Sequence, residues 1–282
     1  WNSITSVMSG SRYRPLIAVT PDNPQVIYAL FSAYDDGFNA LYKSNDGGDN
    51  WVMQSDSPNI LGRATDGTSN GGQAWYDLSL GVATNDENLV YVGGIGLWKS
   101  IDGGINWTTN TDNLPVMGVS HIAIDPSNNQ IMYIVTGDAY ASDTYSIGVL
   151  KSIDGGNSWN TTGLSYVTNQ QETVNKIIIN PNYTDSLIAA TNKNIQISSD
   201  GGNTWQIFES NNQNQRWRDI EFENVGRISK SKKEEELSGY AELGINVFEF
   251  NSSHQFGFNK LILSFTLTVN VGGLINKHHY NF

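Results

Sequence analysis

Short apolar runs separated by turn residues recur along most of this chain. Leu16 to Val19 and Val26 to Phe31 flank Thr20-Pro21-Asp22-Asn23-Pro24, where two prolines and an Asp-Asn pair spell a turn. Leu41-Tyr42-Lys43-Ser44 then alternates apolar and polar positions, as a half-buried strand does. The order returns in Tyr76-Asp77-Leu78-Ser79-Leu80, Leu89-Val90-Tyr91-Val92 and Leu97-Trp98-Lys99-Ser100. It returns again in His121-Ile122-Ala123-Ile124, Asp125-Pro126 and Ile131-Met132-Tyr133-Ile134, and once more in Ile177-Ile178-Ile179, Asn180-Pro181 and Leu187-Ile188-Ala189-Ala190. Each cycle predicts a strand, a turn, a strand, a loop, a strand, a tight turn and a strand.

The tight turn is an octet that recurs at fixed spacing. It begins Ser44-Asn45-Asp46-Gly47-Gly48 and ends at Trp51, and its copies run Ser100 to Trp107, Ser152 to Trp159 and Ser198 to Trp205. The shared positions are Ser44, Asp46, Gly48 and Trp51; Ser100, Asp102, Gly104 and Trp107; Ser152, Asp154, Gly156 and Trp159; and Ser198, Asp200, Gly202 and Trp205. Asp before Gly-Gly is hairpin chemistry: the carboxylate accepts backbone N–H groups across the bend, and glycine takes positive φ without steric cost. A tryptophan at one fixed position needs one fixed pocket, so the closing Trp is expected to plug the space between neighbouring units. The octet therefore reads as architecture. Its closing tryptophans, at 51, 107, 159 and 205, recur at a period that suits four short strands per unit, the signature of a β-propeller.

The octet resembles the Asp-box, or bacterial neuraminidase repeat, Ser-x-Asp-x-Gly-x-Thr-Trp; Thr204 alone supplies the usual threonine. The resemblance covers about Arg12 to Phe222. It implies an all-β propeller whose boxes lie between the outer strands of each blade, away from any active site. Within the Asp-box proteins the chain resembles the non-catalytic, sortilin-like and secreted bacterial glycosyl hydrolase-like group, on Ser57 to Gly62 leading to Gln73-Ala74-Trp75-Tyr76-Asp77-Leu78.

Composition narrows the partners. A formal charge of −12 excludes a basic face for nucleic acid or for an anionic membrane, and no apolar run is long enough to insert in one. With no cysteine there are no disulfides and no thiolate metal site, and no cofactor or metal is expected. His121 opens a strand, His278-His279 has no partner at metal-ligand spacing, and the boxes lack the alternating oxygen ligands of a calcium loop. The Asn-, Ser- and Thr-rich composition suits a secreted or cell-envelope bacterial protein. Because the sequence opens at Trp1 without a leader, it is expected to be part of a longer chain.

Two insertions are the candidate binding loops, with the acidic turn before the first box. They are 54–74, with Asn59 and Arg63, and 137–146, with Asp138, Tyr140, Asp143 and Tyr145; the turn holds Asp35 and Asp36. Polar loops bearing aromatics on a rigid scaffold fit a protein, peptide or glycan ligand. Two enzymatic readings stand beside this. A sialidase, by resemblance, needs three arginines and a Phe/Tyr-Arg-Ile-Pro motif. Tyr13-Arg14-Pro15 lacks the isoleucine, and the blades hold only Arg12, Arg14, Arg63, Arg216 and Arg218. A xyloglucanase-like glycosidase places one catalytic Asp on each of two propellers across a cleft. Its candidate acids here are Asp77 and Asp219, at matching points of innermost strands, where repetition favours a structural role.

Arg216 to Phe222 opens a fifth unit, and the pattern then breaks. Residues 1–222 hold every Asp, Trp and Pro of the chain and carry its whole net charge, while 223–282 is neutral. The tail reads either as a small module, with a helix over Lys232 to Leu243 and strands at Val247 to Phe250 and Leu261 to Val271, or as loss of the original frame near Glu223; the mid-blade break favours the latter. The expectation is an incomplete propeller over 1–222, four four-stranded blades and the start of a fifth, followed by a divergent tail. Its expected role is a non-catalytic interaction scaffold, with a glycoside hydrolase as the alternative.

Overall fold

The computed structural model describes residues 14–20, 22–109, 111–112, 114–116, 118–138 and 144–208, and the strands 209–210, 217–223, 242–249 and 260–266 through their backbone, with the side chain of Ile220. Four antiparallel four-stranded sheets follow in chain order. The first is β1 (Pro15–Val19), β2 (Ile27–Ser32), β3 (Phe38–Ser44) and β4 (Val52–Ser55); the second is β5 (Ser79–Ala83), β6 (Asp86–Gly93), β7 (Leu97–Ser100) and β8 (Thr108–Thr109). The third is β9 (Val119–Ile124), β10 (Met132–Thr136), β11 (Gly148–Ser152) and β12 (Asn160–Ser165); the fourth is β13 (Val174–Ile179), β14 (Leu187–Thr191), β15 (Asn194–Ser198) and β16 (Gln206–Ser210). A fifth, three-stranded sheet joins β17 (Trp217–Glu223), β18 (Glu242–Glu249) and β19 (Lys260–Thr266). The helix expected over 232–243 begins in residues outside the described ones and overlaps β18 at its end.

The first strands lie against one another in succession, β1 on β5, β5 on β9, β9 on β13 and β13 on β17. That succession makes the sheets blades around an axis. The molecule is an incomplete β-propeller. Because each blade alternates up and down, the boxes, between the third and fourth strands, share one end with the β1–β2 type turns. The β2–β3 type loops and the connectors between blades share the other end. Backbone bonds confirm the grouping: Gly47 N bonds Gln25 O at the box end, while Gly72 N bonds Asp35 O and Ala74 N bonds Asp36 O at the loop end.

The core is a series of clusters between blades. Tyr28, Leu30 and Leu41 of the first blade pack on Val82, Val90 and Trp98 of the second, with Trp107 against them. Tyr91 and Leu89 meet Ile122, Met132 and Ile134, with Trp159. Tyr133, Val135 and Val149 meet Ile177, Leu187 and Ala189, with Trp205. Trp107, Trp159 and Trp205 thus each pack into the joint with the preceding blade. Trp51, also buried, clusters among the described residues with Ala29, Ala40 and Tyr42 of its own sheet.

A polar device repeats in the same joints. Tyr91 Oη and Lys99 Nζ both donate to Gly155 O in the next box, at 2.9 and 2.8 Å. Tyr133 Oη and Lys151 Nζ do the same to Gly201 O, at 3.1 and 3.0 Å. In the first joint Tyr28 Oη donates to Glu87 O and Lys43 Nζ to Asn88 Oδ1. Each ammonium lies over its tyrosine ring, 5.4 to 5.9 Å from the centroid. Burial and nearby carboxylates raise the three phenol pKa values, so the hydroxyls stay protonated donors.

One expected strand starts later than its apolar pattern suggests. Tyr76 and Asp77 do not belong to β5, because both their amides turn back to Gln73 O. Asp77 therefore sits in the bend before its inner strand, whereas Asp219 lies within β17. The two are not at matching backbone positions, and the side chain of Asp219 is outside the described residues.

Candidate functional site

The boxes place their carboxylates inward on their own turns. Asp46 Oδ1 accepts the Asn50 amide at 2.8 Å, Asp102 Oδ1 those of Ile105 and Asn106, Asp154 Oδ1 that of Ser158, and Asp200 Oδ1 that of Thr204. Each leading serine donates to the same Asp Oδ1 and accepts the N–H of the second glycine: Gly48, Gly104, Gly156 or Gly202. Both glycines of every copy have positive φ, which the turn requires and a side chain would strain. These donors hold the carboxyls at about 2. For Asp46 the Asn50 amide acts first, for Asp154 the Ser158 hydroxyl and for Asp200 the Thr204 hydroxyl; for Asp102 burial opposes and the Asn106 donors outweigh it. A carboxylate so fully engaged is built to close a turn rather than to exchange a proton.

The chemistry-bearing side chains gather at the opposite end. Connector 56–77 is folded down by Asn59. Its Oδ1 accepts Phe38 N at 2.7 Å, and its Nδ2 donates to Ser69 O and Gly71 O. Asn59, expected as a ligand contact, is thus the clasp of the loop that carries it. Arg14 Nη1 donates to Ala74 O and Trp75 O, each at 2.7 Å, and fixes the far end. Gly72 must be glycine, since a Cβ there would lie 2.3 Å from Asp36 O and 2.4 Å from Leu61 O.

Held this way, Trp75 and Tyr76 stay 52% and 38% exposed, and Tyr34, on the adjoining acidic turn, is 82% exposed. Asp77, next along, is buried, as is Asp138. Gly118 lies between their segments. A methyl at Gly118 would be 3.1 Å from Asp77 Oδ2 and 3.4 Å from the Gly137 backbone, and Gly137 N bonds Gly118 O.

The other candidates divide. Asp35 bonds Gly37 N within its own turn; Asp36 takes φ 63° there and offers its carbonyl to Ala74 N. Arg63 is exposed at a shallow surface recess that it lines with Trp98, Thr109 and Asp112. Tyr145 is half-buried in the loop between β10 and β11, after Asp138, whose amide bonds Thr144 O; Tyr140 and Asp143 lie outside the described residues. Among the described residues no group of three His, Asp or Glu side chains could hold a metal ion, and no helix is long and apolar enough to cross a membrane.

The family model for sortilin, neurotensin receptor 3, of the Sortilin-Vps10 family, matches residues 96–268, more than half of the chain. The chain belongs to the Sortilin-Vps10 family. It is an Asp-box propeller in sequence and in fold, and the match runs on beyond residue 222. A xyloglucanase of Paenibacillus sp is 26% identical over 171 residues, which covers 51% of this chain and 15% of that protein. An ancestral GH74 enzyme superposes with a TM-score of 0.62 at 18% identity, over 94% of this chain and 31% of the other. A GH74 enzyme from Niastella koreensis superposes at 0.54 with 19% identity, over 87% and 38%. At these identities the structural likeness is one of fold, and this chain spans well under half of each relative.

Two features escaped the sequence reading. Tyr76 reads there as the head of a strand, and the backbone return of Tyr76 and Asp77 to Gln73 leaves Trp75 and Tyr76 on the loop surface. The Tyr–Lys pair had a signal: a lysine stands immediately before Ser44, Ser100 and Ser152 but not before Ser198.

Proposed function

We propose that this chain is a glycan-binding scaffold, part of a longer secreted or cell-envelope protein, and that its loop end is the contact surface. The observation that carries the proposal is the exposed Trp75–Tyr76 pair on a connector fixed by Asn59 and Arg14. Flat aromatic faces held in advance stack on sugar rings at little entropic cost. The carboxylates around them and the net charge of −12 favour a neutral polysaccharide over an anionic one. A relative named xyloglucanase supports the same class.

The test is calorimetric titration with xyloglucan oligosaccharides and, in parallel, with sialylated ones. Neutral sugars are expected to bind, and Trp75→Ala is expected to weaken them at least about fivefold without moving the melting temperature, since one aromatic contact contributes on the order of 1 kcal/mol. Absence of binding to any neutral glycan, or an unchanged Trp75→Ala variant, would reject the reading in favour of a protein or peptide partner.

A hydrolase is the second reading, favoured by the named relatives and by the burial of Asp77 beside the aromatic pair. Two carboxylates across a cleft are needed for that reaction, and Asp77 is the candidate for one of them. Release of reducing ends from xyloglucan that disappears in Asp77→Asn while binding persists would establish it.

A further inference from the structure

An asparagine followed by glycine is a chemically fragile pair. The glycine nitrogen can close a cyclic imide on the asparagine side chain, and no β-carbon stands in its way. The chain contains one such pair, Asn70-Gly71, in the connector that carries Trp75 and Tyr76. Closure demands an attacking N–H that no acceptor holds and a side chain that no partner holds. Asn70 is exposed, and neither its side chain nor Gly71 N makes a hydrogen bond among the described residues.

Every comparable pair in the propeller is locked. Asp-Gly closes the same ring, and it occurs six times. In the boxes Gly47 N, Gly103 N, Gly155 N and Gly201 N donate to Gln25 O, Asn88 O, Gln130 O and Asp185 O, at 2.8 to 2.9 Å. Each attacking amide is thereby tied near the head of the second strand of its own blade. Gly37 N donates to Asp35 Oδ1. Within the connector itself Gly67 N donates to Ala64 O, and Asp66 Oδ1 is taken up by Thr68. Asn70-Gly71 is the exception.

We infer that Asn70 is a self-modification site: in the native chain it loses its side-chain amide and becomes isoaspartate, and the change releases the connector. Gly71 N gives its proton to solvent, its lone pair forms a bond to Asn70 Cγ, the Cγ–Nδ2 bond breaks and the amide leaves as ammonia. Water then opens the imide. Cleavage between Gly71 N and the main-chain carbonyl carbon of residue 70 leaves that carbon as a carboxylate and routes the chain through Cγ, one methylene longer. The methylene enters between the two carbonyls that the clasp holds, because Asn59 Nδ2 donates to Ser69 O at 2.8 Å and to Gly71 O at 2.9 Å. Just beyond, Gly72 N is held by Asp35 O at 3.1 Å, and a Cβ on Gly71 would lie 3.1 Å from that same oxygen. A longer link between residues 70 and 71 cannot keep all three bonds, and the new carboxylate adds negative charge beside Asp35. Release follows from the clasp alone, whatever the connector binds.

The test ages the full chain in mildly alkaline buffer, native and in denaturing urea, and follows each site by peptide mass spectrometry with enzymatic methyl-labelling of isoaspartate. Native Asn70 is expected to convert within about threefold of its rate in the unfolded chain, while folding slows the six Asp-Gly pairs at least about tenfold, because a held amide must first be freed by local opening. Proteolysis within 62–70 is expected to quicken several-fold in the aged chain. Asn70→Gln, whose longer side chain closes the ring far less readily, is expected to keep its mass and the resistance of fresh protein. If folding slows Asn70 as strongly as it slows the Asp-Gly pairs, the native loop protects the pair and the inference is overturned. It is equally overturned if Asn70 converts while proteolysis of 62–70 and amide exchange at Gly72 stay as they were, since the clasp would then have survived the added methylene.

Discussion

The box aspartates show how one residue is committed to structure by the number of donors aimed at it. Asp154 takes a backbone amide and two hydroxyls, from Ser158 and Ser152, and its carboxyl falls from the ordinary 3.8 to about 2. A folded-state pKa below the unfolded one means that the unfolded chain binds more protons between the two values. The stabilisation is thus complete above about pH 4, declines as pH falls through 3.8 toward 2, and changes no further below that. Because Asp46, Asp102 and Asp200 behave alike, the melting temperature is expected to drop steeply over that window, and Asp154→Asn, which keeps an acceptor and loses the charge, is expected to flatten the drop. A melting curve independent of pH between 4 and 2 would contradict this account. This much was legible in the sequence, since Asp-Gly-Gly carries its partners within a few residues. Asn59 was not. A polar residue in a loop looks the same whether it waits for a ligand or clasps the loop, and the amide that decides the matter, Phe38 N, is remote in sequence.

At the scale of the element, the blade is stabilised by what lies beside it as much as by its own hydrogen bonds. Trp107 closes the second box, yet its ring packs with Leu41 and Val82 of the first joint, and its Nε1 donates to Ser55 Oγ at 3.0 Å. Trp107→Ala is expected to cost about 3 kcal/mol in urea unfolding, the lower part of the range for a large aromatic, because the ring is half-buried. A loss under about 1 kcal/mol would mean that the joint does not depend on the plug. The connector behaves differently. It holds few buried apolar groups besides Ile60 and Leu61 and depends on the Asn59 clasp. Asn59→Ala is expected to speed proteolysis within 62–70 several-fold while the melting temperature moves little, as local opening does. Strand placement was readable from alternation, but the start of β5 was not, because a turn closed by bonds from Tyr76 N and Asp77 N to Gln73 O overrode the strand pattern that began at Tyr76.

The whole molecule is a row of joints, and its stability is distributed accordingly. In a repeat array each unit gains from its nearest neighbours, so a unit covered on two faces opens less readily than one covered on a single face. The second and third blades are covered on both sides by clusters that contain Tyr28, Tyr91 and Tyr133. The first blade meets a neighbouring blade through one cluster among the described residues, and its inner strand bears Ile17 and Val19 in solvent. Amide exchange is therefore expected to be slowest in β9 and β10 and faster in β1 and β2, even though β1 and β9 are alike edge strands paired on one side and β2 and β10 alike are paired on both. Uniform exchange across the blades would show the array opening as one cooperative body, and the nearest-neighbour picture would then fail. The gradient also bears on function. The Trp75–Tyr76 connector joins the first blade to the second, and Arg14, which fixes it, stands at the head of β1. A ligand held by that connector bears directly on the first blade, whose inner strand is the more exposed one. Saturating xyloglucan oligosaccharide is accordingly expected to slow exchange in β1 and β2 most and to leave β10 almost unchanged; protection that rises equally in all blades would place the bound sugar elsewhere.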